Sequence, residues 1–201
     1  MADSGEITQL LDELNQSEAS ERERVLDRLV PLVYSELKAL ARANRYRWGA
    51  QPSAGTTSLV HEAYARLATK DRAYPGRRQF FCLASKTMRS ILIDNARLHQ
   101  RQKRGGGVRP VSLNEETLVS AERSSELLAL DEALRRLEEK EPALSQIVEC
   151  RCFGGLTVEE TATALDLSPA TIKRRWTLAR AWLFRQLGPA AQGAGITSSL
   201  R

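Results

Sequence analysis

Apolar residues recur along most of this chain at steps of three and four, and hardly anywhere at alternate positions. The pattern predicts helices from end to end and no strand of useful length. Ile7, Leu10, Leu11 and Leu14 mark a first helix over 6–14, followed by a polar break at 15–19. Ser20 is read as the cap of a second helix carrying Val25, Leu26 and Leu29 inward. Pro31 is expected to end or kink that helix and to open another, through Val33, Leu37 and Leu40 to about Arg45. The next stretch, 45–57, holds Gly49, Pro52 and Gly55 and reads as a loop. Thr57 or Ser58 then caps a helix with Leu59, Val60, Ala63, Tyr64 and Leu67 on one side. After a basic loop at 70–78 comes the longest pattern, about 79–103, with Phe81, Ala84, Met88, Ile91, Asn95 and Leu98 in line. Three glycines, Gly105 to Gly107, stop it.

Residues 108–123 show no period and carry Glu115, Glu116 and Glu122, so they read as an acidic linker. Helical spacing resumes at Ser124 with Leu127, Leu130, Ala133, Leu134 and Leu137. Glu141-Pro142 opens a further helix with Leu144, Ile147, Val148 and Cys150 inward, closed by Gly154-Gly155. The small, polar residues 188–201 are expected to be disordered. The organisation predicted is all-α: an N-terminal extension (1–19), a helical domain (20–107), the flexible linker (108–123), a second helical domain (124–187) and a tail. Each domain can close a modest core.

Charge sharpens this picture. The chain has 201 residues with 30 Lys and Arg against 25 Asp and Glu, a net charge of +5. That balance suits a polyanionic partner without proving one. No apolar run approaches the ~20 residues of a membrane span, and the acidic start lacks a signal-peptide core, so a cytoplasmic protein is expected. Cys82, Cys150 and Cys152 are an odd set that suggests no disulfide framework. Cys150 is read as a buried, reduced thiol. His61 and His99 do not stand at zinc-finger spacing from the Cys150-x-Cys152 pair, so no metal site and no cofactor are expected.

The richest stretch is 156–183. Thr157 with Glu160 forms a capping box, and Val158, Thr161, Ala162 and Leu165 make an inner face. Asp166 falls where a left-handed turn is required, and Leu167 can plug the core. Ser168 caps the next helix, whose first turn takes Pro169. In that helix Ile172, Trp176, Ala179 and Leu183 point inward. Ala170, Thr171, Lys173, Arg174 and Thr177 are left outward, with Arg175 and Arg180 at the margins. This is a helix-turn-helix, with a second helix suited to the major groove. The bland reading, a solvated basic helix, does not account for the caps, turn and plug together.

A second basic site lies upstream. Lys86, Arg89, Arg97, Arg101, Lys103 and Arg104 stud the long helix, and Arg97, Arg101 and Arg104 form one stripe. Such a stripe supplies salt-dependent affinity for phosphates without reading sequence. Tyr74, Phe80 and Phe81 sit in or beside the basic loop, where exposed aromatics would suit unpaired bases. Phe81 is read as core. Tyr46 and Trp48 are also read as core.

Over roughly 20–187 this arrangement resembles the small two-domain members of the sigma-70 family, the extracytoplasmic-function (ECF) group of bacterial RNA polymerase sigma factors. The residues that carry the resemblance are Glu160-Thr161-Ala162, Leu165-Asp166-Leu167-Ser168, Thr171-Ile172-Lys173 and Ala179-Arg180. SLVHEAYARL (58–67) and QFFCLASKTMRSILIDNARLHQRQKRG (79–105) add to them. The resemblance implies a binding protein, not an enzyme, whose partners are core RNA polymerase and promoter DNA. It implies that His61, Glu62 and Arg66 dock on the polymerase clamp helices, with a flap contact elsewhere. Arg72, Tyr74, Arg77 and Arg78 would hold a base flipped from the downstream promoter element. Lys86, Arg89, Asn95, Arg97, Arg101, Lys103 and Arg104 would track that element where it melts. Ser168, Ala170, Thr171, Lys173, Arg174, Arg175, Thr177 and Arg180 would read the upstream element. The linker would thread toward the polymerase cleft, and an anti-sigma protein is a further conceivable partner. Ser58 and His61 depart from the Asp and Gln of many members, and Asp166 from the usual turn glycine.

Two other classes compete. A helix-turn-helix regulator acting without core polymerase would need a sensor or dimerisation domain, and neither βα alternation nor a heptad seam is present. A DNA recombinase would need a nucleophilic serine on an α/β scaffold, whereas Ser85 and Ser90 fall on a plain helix.

Overall fold

The computed structural model describes residues 4–48, 55–68, 76–104, 119 and 123–188. They form eight α-helices and one π-helical turn, with no strand among the described residues. The predicted all-α class is correct. Most of the expected linker, the basic loop at 69–75 and the tail beyond Gly188 lie outside the described residues.

The first helix, α1 (Ser4–Gln16), buries Ile7, Leu10, Leu11 and Leu14, the four residues whose spacing predicted it. Its C-terminal end is held by buried Arg22, which donates from Nη1 to the Leu14 carbonyl at 3.1 Å. Helix α2 (Ala19–Arg47) departs from expectation at three points. Its N-cap is Glu18, so Ser20 lies inside the first turn and is not the cap. Pro31 neither ends nor breaks it. Tyr46 is exposed, so only Trp48 of that pair is core. Buried Leu26, Leu29, Val33, Leu37 and Ala41 run across the proline at steps of three and four. Proline in a helix interior costs ~3 kcal/mol, and here it sits on the exposed side, where water can satisfy the freed carbonyl.

Helix α3 (Thr56–Ala68) begins ahead of the predicted caps Thr57 and Ser58. The Leu59 amide donates to the Gly55 carbonyl, and Gly55 has the positive φ of 75° that places it ahead of the helix. Tyr64 ties α3 to α2 by donating to the Asp27 carboxylate. Burial, then this bond to the anion, pushes the Tyr64 hydroxyl up to about 12.

Helix α4 (Arg77–Arg104) is the spine of the fold. It meets α1, α2 and α3 on one side and α5, α7 and the π turn on the other. Contact on two sides explains why the predicted one-sided stripe is incomplete. Phe80, not Phe81, is fully buried, Leu92 and Ile93 are both core, and Leu98 is exposed. The rings of Phe80 and Phe81 meet edge to face at 75°, with centroids 5.6 Å apart.

Further along the chain, α5 (Ser124–Lys140) buries all five residues that predicted it. Helix α6 (Pro142–Val148) follows Glu141 as N-cap and passes directly into the π turn (Glu149–Phe153). Gly154 closes that turn. A Cβ there would lie 2.4 Å from the Cys150 carbonyl oxygen, so no other residue fits without moving backbone. Two further helices follow, α7 (Val158–Leu165) and α8 (Pro169–Leu187). Buried side chains from Ile7 to Leu183 belong to one continuous core. Asn44 of α2 reaches across it, donating from Nδ2 to the Phe153 carbonyl at 3.1 Å.

Candidate nucleic-acid interface

The turn between α7 and α8 is built as its residues dictate. Thr157 Oγ1 accepts from the Glu160 amide at 3.1 Å, while the Thr157 amide donates to Glu160 Oε2 at 2.9 Å. Asp166 takes the left-handed conformation, φ 52°, which lets the Leu167 amide return to the Ala162 carbonyl at 2.9 Å. Ser168 Oγ accepts from the Thr171 amide at 3.2 Å, and Pro169 occupies the first helical position. Replacing Thr157 with alanine removes one half of the capping box. It should cost about 1 kcal/mol, read as a lower urea midpoint with an unchanged slope.

Helix α8 buries Ile172, Trp176, Ala179 and Leu183. Arg151 of the π turn stacks over the Trp176 ring, 4.9 Å from its centre, and fixes the roll of α8. With that side anchored, Ala170, Lys173, Arg174 and Thr177 are exposed along one outer side, and Thr171, Arg175 and Arg180 are half-buried beside them. Ser168 is exposed at the helix start. In α7 the inner residues are Thr161, Ala162 and Ala164, and Val158 and Leu165 are only half-buried.

The basic residues of α4 are distributed differently. Arg77 pairs with Glu36 at 2.7 Å and lies over the Phe81 ring, and Arg78 is exposed beside it. Arg101 is exposed and Asn95 half-buried. The side chains of Lys103 and Arg104, and Arg72 and Tyr74 entirely, fall outside what is described. Three cations are turned toward acids on α5 and the π turn. Lys86 meets Glu138 at 2.8 Å. Arg97 meets Asp131 at 3.2 Å and Asp94 at 3.8 Å. Arg89 is enclosed, its side chain 7% exposed, with Asp131 at 2.9 Å, Glu149 at 2.6 Å and the Phe153 ring 5.3 Å from its guanidinium.

One family model, that of the ECF sigma factors, matches residues 4–188, nearly the whole chain and both of these regions. The chain belongs to the ECF sigma factor family. Sigma factors of this family act in transcription initiation, as non-enzymatic factors that work with core RNA polymerase and promoter DNA. Neither the search of curated proteins nor that of solved structures gave a significant match. The family match starts within α1, so that helix is included in it. No helix among the described residues is long and apolar enough to cross a membrane.

In this sigma factor His61 is exposed on α3, one turn before a small polar network. Arg66 there bridges Glu62 at 2.7 Å and Asp94 at 2.9 Å, which joins α3 to α4. All three residues are 30–50% exposed at the side chain, so the pairs add little stability, and the carboxylates stay presentable to a partner.

Sequence reasoning missed two features. One is the buried acid Glu149, hidden because a glutamate ahead of Cys150 looks like a helix exterior position. The other is a disulfide. Cys150 is buried as expected, but it is bonded to Cys82 of α4 and not a reduced thiol. Their separation of 68 residues and the odd cysteine count gave no hint of pairing.

Burial raises the Glu149 carboxyl above its usual 4.5, against the opposing pull of Arg89 and Lys86. The folded protein therefore holds this proton more tightly than the unfolded chain. The contribution favours folding at low pH and is lost as pH rises from near 4.5 through the folded value. Glu149→Gln imitates the protonated form and lacks this slope. Its stability relative to wild type should climb between pH 4.5 and pH 8 in urea titrations, and a flat difference would refute the assignment.

Proposed function

We propose that this sigma factor directs core RNA polymerase to a narrow set of two-element promoters, gripping the upstream element with α8 and melting the downstream one with the α4 region. The observation that carries the proposal is the outer side of α8. Lys173, Arg174 and Thr177 are exposed on a helix whose opposite side and entry turn are rigidly anchored, with Thr177 Oγ1 donating to the Lys173 carbonyl at 3.0 Å. Paired donors on such a helix suit guanine edges in the major groove, and neighbouring arginines suit phosphates.

The α4 region contributes in a different way. Arg78, Arg97 and Arg101 offer charge along a strand, and the basic segment containing Arg72 and Tyr74 would take an unstacked base. Melting costs about 1.4 kcal/mol per stacked step, and capture of a flipped base offsets part of that cost. Two weak grips joined in one chain then act bivalently. His61, Glu62 and Arg66 are the proposed clamp contact of the cytoplasmic holoenzyme. An anti-sigma protein covering the same surfaces is compatible with this arrangement.

Transcription by reconstituted holoenzyme on a random promoter library, with start sites sequenced, tests the reading. Start sites should share an upstream and a downstream element at fixed spacing. Failure to bind core polymerase even at low salt would overturn it.

A further inference from the structure

The disulfide joins the two regions that this function requires to act apart. Cys82 lies on α4, within the proposed melting region. Cys150 lies on the π turn, one element before the helix-turn-helix. Their Cα atoms are 5.0 Å apart, which fastens α4 to the π turn. The same interface is stitched by ion pairs. Lys86–Glu138, Arg89–Asp131, Arg89–Glu149 and Arg97–Asp131 all cross from α4 to α5 or the π turn. Each takes a cation that phosphates would otherwise claim and matches it to a protein carboxylate. In this closed packing Lys86, Arg89 and Arg97 face their own chain.

We infer that Cys82 and Cys150 form a thiol–disulfide switch: oxidised, it locks the closed packing and withholds the α4 surface from promoter DNA, and reduced, it lets the halves part. The inference rests on the function proposed above for α4. Disulfides in a reducing cytoplasm are as a rule transient and redox-sensing rather than structural, which is the behaviour a switch needs. A structural reading would place the bond within one half, where no movement is required.

Access favours Cys82 as the attacking sulfur. It is half-buried, while Cys150 is 2% exposed. Both line a recess of about 260 Å³ together with Gln79, Lys86, Glu138 and Glu149. The oxidant is a low-molecular-weight disulfide. The Cys82 thiolate attacks one of its sulfurs, forming a mixed disulfide and expelling one thiolate. The Cys150 thiolate then attacks Cys82 Sγ, forming the protein disulfide and expelling the second thiolate. The two protons given up by the cysteines end on the two released thiols. Two protein thiols are oxidised and one small disulfide is reduced. Cys152 is buried and outside the bond, so it serves as an internal control.

The test uses the full-length protein, reduced with dithiothreitol or oxidised with excess glutathione disulfide. Peptide mapping without reductant should find Cys82 joined to Cys150 and not to Cys152. Amide exchange in α4 and α5 should slow at least 10-fold on oxidation and recover with dithiothreitol. Transcription from promoters selected in the library should fall at least 10-fold in parallel. Cys82→Ser and Cys82→Ala should both be indifferent to oxidant. The inference is overturned if the linkage does not form, if it forms without slowing exchange or lowering polymerase function, or if both Cys82 variants still respond to oxidant. If the reduced protein binds no core polymerase, the proposed function fails instead, and exchange alone then decides whether the lock exists.

Discussion

Arg89→Ala should destabilise the packed chain by about 3–5 kcal/mol, because it leaves buried Glu149 without its cation and Asp131 with Arg97 alone. Arg89 is the only cation within ion-pair distance of Glu149 among the described residues, and it shares Asp131 with Arg97. Both acids are 10% exposed or less at the side chain, so water cannot take over. Removing one member of such a cluster differs from removing all of it. The triple substitution Arg89→Met, Asp131→Asn, Glu149→Gln should therefore recover most of the loss. Urea unfolding at pH 7 of the single and triple variants reads both effects. A loss below 1 kcal/mol for Arg89→Ala would show that no buried charge is left uncompensated when Arg89 is removed. The energetics also bear on function. An ion-pair cluster that breaks even against solvent can hold two halves together and still yield to phosphates, whereas an apolar seam could not be competed away by DNA.

The helix-turn-helix was legible in the sequence in its caps, its turn and the buried side of α8, though buried Ala164 of α7 was missed. Its determinants are local: Thr157 and Glu160 cap one helix, Ser168 and Pro169 open the next, and Ile172, Trp176, Ala179 and Leu183 repeat on one side. Helix existence was equally legible, since spacing alone marks a buried side. The features that escaped are those set by distant parts of the chain. Pro31 reads as a break until the unbroken buried side of α2 is weighed against it. Phe80 and Phe81 are ranked wrongly because a helix packed on two sides has no single inner stripe. Arg89 reads as a phosphate contact, and only its position opposite Asp131 and Glu149 reveals that an interior site encloses it. The Cys82–Cys150 pair is of the same kind, because two residues on different helices meet only when the helices do.

Lys173→Ala and Arg174→Ala should together abolish measurable discrimination at the upstream element. A bidentate side-chain contact to a base is worth about 1–3 kcal/mol, so each substitution should lower initiation at the preferred promoter by roughly 5- to 150-fold, and contacts to separate bases should nearly add. The two side chains are exposed and adjacent at the start of α8, and neither supports the core. The variants should therefore keep wild-type stability and wild-type association with core polymerase, so that a loss of transcription reports on reading alone. Arg101→Ala is the contrasting case. It should weaken all promoters alike and lower the salt slope by about one, since a phosphate contact carries no sequence information. Run-off transcription across a series of upstream-element variants, repeated at several salt concentrations, separates the two patterns. If Arg101→Ala changed the ranking of promoters while the α8 variants changed only the salt slope, the assignment of the reading and melting surfaces would be reversed. Combined with the redox measurement, the same assay distinguishes a lock from a reader. Oxidation should depress every promoter together and leave their ranking intact, because it withholds α4 without altering the outer side of α8.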